Sequence, residues 1–214
     1  STSHGFSVAT YTGSGSTATC GHGLGAALDF IIIKRLDTTG EWRCWHSALS
    51  NTQGIDLNSS NGAFTDDSFN NTIPTNSVFS LKGGVANVNA SSSSYVAYCF
   101  TSVSGYSSMG SYEANSSANG PFVYTGFRPR FLLLKRYDSN GYHWSVHDEL
   151  REGFNDQNDE ILANLPNAES NTNKLDILSN GFKLRNTSPD VNGGSILYAA
   201  FARNPFKVNG GLAR

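Results

Sequence analysis

The sequence predicts an all-β fold, a sandwich or jelly-roll-like unit built from two internally repeated halves. Ser, Gly and Asn supply 73 of the 214 residues and only 15% are charged, a balance typical of strands joined by polar turns. Short apolar runs also recur at a spacing of 101 residues, much longer than the period of about 20–50 residues found in solenoids and propellers. We therefore expect two repeats, residues 1–104 and 105–214, packed as one pseudo-symmetric unit.

The repeat is clearest in the run Phe30–Arg35, which returns as Phe131–Arg136. Both runs carry Phe, three aliphatic residues, Lys and Arg in that order. The same register relates Gly25 to Gly126, Asp37 to Asp138, Gly40 to Gly141 and His46 to His147, and later blocks relate 79–81 to 182–184 and 95–100 to 196–201. Agreement across so many residue types indicates a duplicated structural unit.

Each repeat predicts about six strands. Residues 30–33 are apolar at every position, which predicts a central strand buried on both faces. Asp and Gly in the next segment predict a hairpin turn. The returning strands are expected at 41–47 and 142–148, and further strands of the first repeat at 55–58, 78–81 and 95–100.

Residues 158–166 carry two conflicting signals. Their composition and the closing Pro166 resemble a short helix stopped by proline. The repeat, however, aligns Ile161 with Ile55 and Asn164 with Asn58. We therefore predict a strand.

The second strand of each hairpin carries the candidate contact residues. Side chains alternate between the faces of a strand, so Trp45 shares the core face with its aligned partner Val146. The other face then carries Trp42, His46, His143 and His147. Exposed there, these rings would stack on a sugar or anchor a protein interface. Alternatively, the face is covered and its histidines are hydrogen-bonded inside.

Catalytic and cofactor signals stay at background level, so we expect no enzyme, no cofactor and no metal site. The glycines of residues 21–26 precede an apolar strand, whereas a dinucleotide site follows one. The acidic residues lack the spacing of a calcium loop: Asp148, Glu149, Glu152, Asp156, Asp159 and Glu160. His147-Asp148 has no accompanying nucleophile elbow.

Charge and cysteine content limit the partners and the compartment. The formal net charge is −2, with no basic tail, so nucleic acid is not an expected partner. No apolar run reaches the roughly 20 residues that span a bilayer, which predicts no membrane insertion. The three cysteines are odd in number, and we expect free thiols and synthesis in a reducing cytoplasm.

Several segments resemble an uncharacterised two-copy β domain family of bacteriophage virion proteins, known chiefly from marine phages. The segments are 120–129 with the strand that follows it, 178–185 and 95–100, and the likeness extends from Phe6 to Phe206. The resemblance implies a structural or host-facing part of the virion, assembled in the host cytoplasm: a tail fibre, tail tip or capsid-surface appendage. It supplies no catalytic residues.

Two functions follow as expectations. The first is a virion structural protein for host attachment or particle assembly, whose partners are other virion proteins, further copies of itself, and a glycan or protein receptor on the host. The second is a free-standing carbohydrate-binding module that uses the region of Trp42 and Trp144 as a stacking platform.

Overall fold

The computed structural model describes residues 1–151 and 157–205 and confirms the all-β sandwich class. Sixteen strands in this part of the chain are accompanied by a 3-10 helix, Thr2–His4, and a four-residue helix α1, Pro189–Asn192. The chain divides into two compact units. Unit 1 contains Ser1–Asn58 and Ala63–Ser102, and unit 2 contains Ser59–Gly62 and the described residues from Val103 onwards. Their packing as one pseudo-symmetric body stays a prediction.

Unit 1 contains an antiparallel sheet in the order β1-β8-β3-β4-β5-β6 and a second sheet of β2 and β7. The two sheets face each other, since the rings of Tyr11 on one and Phe79 on the other lie 6.4 Å apart. The strands are β1 (Phe6–Thr12), β2 (Ala18–Gly21), β3 (Phe30–Arg35), β4 (Trp42–His46), β5 (Gln53–Asp56), β6 (Phe64–Thr65), β7 (Val78–Leu81) and β8 (Ser94–Phe100).

Unit 2 contains one eight-stranded sheet in the order β10-β15-β14-β13-β12-β11-β16-β9. Its strands are β9 (Ser107–Glu113), β10 (Phe122–Tyr124), β11 (Pro129–Arg136), β12 (Ser145–Asp148), β13 (Gln157–Leu162), β14 (Ser170–Leu178), β15 (Gly181–Leu184) and β16 (Ser195–Ala202).

The sheet of unit 2 folds back on itself to form both layers of a sandwich. Leu134 of β11 and Ile196 of β16 share one buried cluster with Ile177 of β14 and Phe182 of β15, although these strand pairs stand in opposite halves of the sheet order. β13 joins the halves through a register shift, as a bulge bends a strand. Burial of these apolar side chains is the main stabilising term for the unit.

The two units share a strand order around their apolar strands. β3 lies between β8 and β4, and β11 lies between β16 and β12. Ile31 and Ile33 are fully buried, as are Leu132 and Leu134, so the face that carries them belongs to the core in each strand. The other face is also buried in β11 but is only half-buried at Ile32 of β3. The predicted central position of both strands is therefore confirmed and burial on both faces holds for β11 alone, while duplication of the chain itself stays a prediction.

The conflict at residues 158–166 resolves as predicted, because β13 occupies Gln157–Leu162. In the part of the chain that the structure describes, each unit has eight strands rather than about six. The additional ones, such as β1 and β10, lack long apolar runs because edge positions are only half covered. No helix in the described residues is long and apolar enough to cross a membrane.

Candidate functional site

An open groove lies at the β3–β4 hairpin of unit 1. Its volume is about 480 Å³. Lys34 pairs with Trp42 on one neighbouring strand and with Val96 on the other. Cross-strand partners point to the same face, so three adjacent strands build one floor. The lining residues are Lys34, Arg35, Leu36, Asp37, Thr38, Thr39, Trp42, Val96 and Tyr98.

The floor is aromatic and aliphatic with one cation. Trp42 and Tyr98 are half-buried, so part of each ring faces the solvent. The Lys34 ammonium lies 5.6 Å from the Trp42 ring centroid and donates a hydrogen bond to the carbonyl oxygen of Gly40 at 2.5 Å. This contact holds the hairpin loop against the floor and supplies a cation–π attraction.

The rim of the groove is polar and exposed. Arg35 Nε donates to Asp37 Oδ1 at 2.6 Å, and this hydrogen bond holds the pKa of Asp37 below its ordinary value. Thr38 and Thr39 are exposed, and Leu36 is 58% exposed. The rim therefore presents hydroxyl groups, an ion pair and one apolar side chain above the aromatic floor.

Of the four predicted contact residues, Trp42 lines the groove and His46 does not. His46 is fully buried. Its Nδ1 accepts the backbone N–H of Ala48 at 3.0 Å, and its ring lies 5.4 Å from that of Phe30. The expectation of an exposed imidazole here is wrong, and the alternative of a covered, hydrogen-bonded histidine holds.

The two predicted residues of unit 2 are also not presented as an exposed pair. His143 is half-buried, and its Nδ1 lies 2.8 Å from Asn164 Nδ2. His147 is fully buried, with Nε2 2.7 Å from Ser145 Oγ. A partner cannot reach His147 in the folded protein, so its predicted place on a contact surface is wrong.

A longer hairpin loop also places His147 on a different strand face from the one that the repeat predicts. Phe30 pairs with His46, whereas its counterpart Phe131 pairs with Asp148, so the strand alignment shifts by one residue to a spacing of 102. A shift of one residue moves a side chain to the opposite face. His147 therefore corresponds to the buried Trp45 rather than to His46.

Hydrogen bonds support the shifted alignment. Asn58 Oδ1 accepts the backbone N–H of Trp42 at 2.9 Å, and Asn164 Oδ1 accepts that of Trp144 at 3.0 Å. Trp42 and Trp144 are thus counterparts. The signal in the sequence was the Trp pair itself, at a spacing of 102.

The counterpart of the groove in unit 2 is filled. Lys135 is fully buried, and burial lowers its pKa to about 8. Its ammonium donates to the carbonyl oxygens of Tyr142 and of Ser60, the latter at 3.2 Å. The Ser60 oxygen also accepts the backbone N–H of Gly141 at 2.9 Å. The segment Ser59–Gly62 therefore occupies the hairpin, and Trp144 is fully buried.

Unit 2 also contains a buried charge cluster that the sequence did not reveal. Lys174 Nζ lies 2.7 Å from Glu160 Oε2 and also contacts Asp190 Oδ2. Ser145 Oγ donates to Glu160 Oε1, so His147 Nε2 must donate to Ser145. Burial lowers the pKa of His147 to about 4, although the negative charge of Glu160 acts to raise it. Its Nδ1 has no hydrogen-bond partner among the described residues.

The remaining motifs of the sequence lie in a glycine loop, in ion pairs and at the three cysteines. Gly23 and Gly25 adopt positive φ angles in a loop that leads into β3. Of the acidic stretch, Asp148 and Glu149 form ion pairs with arginines, and Glu152 and Asp156 lie outside the described residues. Within 1–151 and 157–205, no group of His, Cys, Asp and Glu could hold a metal ion. Cys44 and Cys99 are buried thiols and Cys20 is half-buried.

Comparison with known families places this β sandwich in a class without an assigned activity. Residues 1–205 match the model of the family described as Domain of unknown function (DUF7483). The chain belongs to this family. The comparisons with curated proteins and with solved structures gave no match.

Proposed function

We propose that this chain is a non-enzymatic surface component of a bacteriophage particle, a tail fibre, tail tip or capsid-surface appendage, and that it contributes to host attachment or particle assembly. In this proposal the groove of unit 1 binds a saccharide of the host surface. The observation that carries it is the half-exposed Trp42 and Tyr98 floor beneath a polar rim.

The chemistry of the groove suits a pyranose ring. A sugar has an apolar C–H face that packs on an aromatic ring, and hydroxyl groups that need hydrogen-bond partners at its edge. Trp42 supplies the aromatic surface, while Thr38 and Asp37 supply hydroxyl and carboxylate groups. A pocket of about 480 Å³ lies within the range of small-ligand sites.

The virion assignment rests on the sequence resemblance together with the architecture. A β sandwich with loops rich in Ser, Asn and Gly is a rigid scaffold that presents variable surfaces. Its partners in the particle would be other virion proteins and further copies of the chain. Virion localisation follows from the same proposal.

The second candidate is a free-standing carbohydrate-binding module, which the same groove supports. The two candidates differ in assembly. A fibre or capsid component should form oligomers or bind neighbouring virion subunits, whereas a free module need not. The mass of the purified chain in solution, measured by light scattering, separates them: a stable oligomer favours the virion component, and a monomer favours the free module.

The saccharide site is tested with Trp42→Ala. Loss of an aromatic anchor should weaken glycan binding by about 2 kcal/mol or more, roughly 30-fold. The measurement is a glycan array on the parent chain, followed by calorimetric titration with the best glycan. Tyr124→Ala is the matched control, because Tyr124 is a 66% exposed aromatic residue of unit 2 outside the groove, and its removal should leave binding unchanged.

Two results would contradict the proposal. One is unchanged affinity in Trp42→Ala. The other is that the parent chain binds no glycan on the array and that the parent and Trp42→Ala attach equally to host cells.

A further inference from the structure

The charge cluster of unit 2 brings an amine against two carboxyl groups. Lys174 Nζ lies 2.8 and 2.7 Å from the two oxygens of Glu160 and contacts Asp190 Oδ2. The side chains of Lys174, Glu160 and Asp190 are only 7%, 5% and 18% exposed. The amine is thus enclosed between two acids from different elements, β13 and α1.

Three hydroxyl groups fix the two carboxyl groups in place. Ser145 Oγ and Ser170 Oγ donate to the two oxygens of Glu160, the second at 3.3 Å. Ser188 Oγ donates to Asp190 Oδ1. The oxygen of Asp190 that contacts Lys174 is the other one, Oδ2. The side-chain carboxyl carbon of Asp190, Cγ, is therefore held beside the amine.

Burial reduces the hydration of the cluster, since both Lys174 and Glu160 are buried. Burial raises the pKa of Asp190, although the Lys174 ammonium and Ser188 outweigh it and leave that pKa below its ordinary value. Removing two charges from water is costly, and conversion of the buried ion pair into an uncharged amide would remove that cost.

We propose that Lys174 and Asp190 join in an intramolecular amide bond, with Glu160 as the catalytic residue. The Lys174 ammonium transfers one proton to the Asp190 carboxylate. The neutral Nζ attacks Cγ of Asp190, a C–N bond forms, and Glu160 accepts a proton from the nitrogen. Glu160 returns this proton to the departing hydroxyl, the C–O bond breaks, and one water molecule leaves.

The reaction is balanced without a cofactor. An ammonium and a carboxylate become an amide and water, and Glu160 ends as it began. Holding the reacting groups in contact replaces a bimolecular encounter, which is the main advantage of intramolecular catalysis. The bond would tie β14 to α1, which precedes β16, and so link the two layers of the unit 2 sandwich covalently.

Unit 1 supplies a contrast within the same chain. Its buried cation is Arg43, which donates to Asp56 at 2.7 Å and to Asp66 at 2.6 Å. A guanidinium stays protonated and is not a nucleophile. The inference therefore predicts one bond in the chain, in unit 2 only.

The test is the intact mass of the purified full-length chain under denaturing conditions. We expect a mass lower than that of the sequence by one water molecule. Tryptic digestion should give a branched peptide that joins the segments carrying Lys174 and Asp190, with no cleavage after Lys174. A full sequence mass, or a water loss mapped to other residues, would overturn the proposal.

Glu160→Gln tests the catalytic role. This isosteric change should restore the full sequence mass because the proton acceptor is lost. Glu149→Gln is the matched control, since Glu149 is also a buried carboxylate in an ion pair, with Arg128 at 3.0 Å, and this variant should keep the water loss. A Glu160→Gln chain that still loses water between Lys174 and Asp190 would overturn the role of Glu160. If that variant fails to fold, the peptide map of the parent chain still decides on the bond.

Discussion

The hairpins of unit 1 and unit 2 have similar sequences but differ in how far they are exposed to solvent. Both carry Lys-Arg followed by Asp two residues later, and both form the ion pair: Arg35 with Asp37 at 2.6 Å and Arg136 with Asp138 at 2.7 Å. In unit 1, the adjacent Lys34 lies in an open groove. In unit 2, the adjacent Lys135 is fully buried. The comparison shows that a repeated motif keeps its local geometry while its exposure changes.

The difference lies in what covers the hairpin of unit 2. Each lysine donates to a carbonyl oxygen of its own hairpin, Lys34 to Gly40 and Lys135 to the aligned Tyr142. In unit 2 the segment Ser59–Gly62 supplies a further carbonyl group to the ammonium. An open site and a structural contact have thus been built on one framework, as expected when function resides in loops on a shared scaffold.

The largest expected effect is a loss of unfolding free energy, and it should differ between the two counterpart tryptophans. Trp144 is fully buried, so Trp144→Ala should leave a cavity and cost about 3–5 kcal/mol of unfolding free energy. Trp42 is half-buried, and Trp42→Ala should cost at most about 1 kcal/mol. Urea denaturation of both variants and the parent measures this. Equal losses would mean that the groove residue is as structural as its counterpart.

A smaller effect is expected from pH, and it should act on unit 2. Burial lowers the pKa of His147 to about 4 from about 6.5 in the unfolded chain. The unfolded state therefore binds a proton that the folded state does not, and stability should be complete above pH 6.5 and fall by roughly 3 kcal/mol as the pH drops to 4. The charged groups that act on the imidazole are Glu160, Lys174, Asp190 and Arg151.

Denaturation of the parent and of His147→Phe between pH 7 and pH 4 isolates this contribution. The variant cannot gain the proton, so its loss of stability should be smaller by the same amount. An equal loss of stability with falling pH in the two chains would show that protonation of His147 does not cause it. Hydrogen exchange should locate the parent's early opening in β12.

The smallest effect concerns the segment that fills the unit 2 hairpin. A Cβ at Gly62 would lie 2.7 Å from the carbonyl oxygen of Ser139, so Gly62→Ala should cost about 1–3 kcal/mol through overpacking. The amide hydrogen of Gly141, bonded to Ser60, should then exchange faster. Gly40→Ala in unit 1 is the control, because its Cβ would meet only the end of the Asn87 side chain, at 2.9 Å. An unchanged exchange rate at Gly141 would show that Ser59–Gly62 does not close the hairpin.

Much of the fold was predictable, and the candidate site only in part. The apolar runs identified β3 and β11, and the repeat identified β13 against its helical propensity. Trp42 was singled out in the sequence, and it lines the groove, while its role in binding stays a prediction. Tyr98 and Lys34 were missed because their proximity to Trp42 depends on strand pairing, and nothing in their local sequence distinguishes them from core residues.

The sequence by itself determined the strands that carry apolar runs or repeat partners, since alternation, turn residues and apolar runs act over a few neighbouring residues. Tertiary structure decided which faces are covered. His46 and His147 occupy aligned positions in the sequence, but the extra hairpin residue places them on opposite strand faces, and both are buried. The tertiary structure also brought Lys174, Glu160 and Asp190 together from three separate elements. Burial and contacts between distant segments depend on how layers pack, and local patterns do not encode that packing.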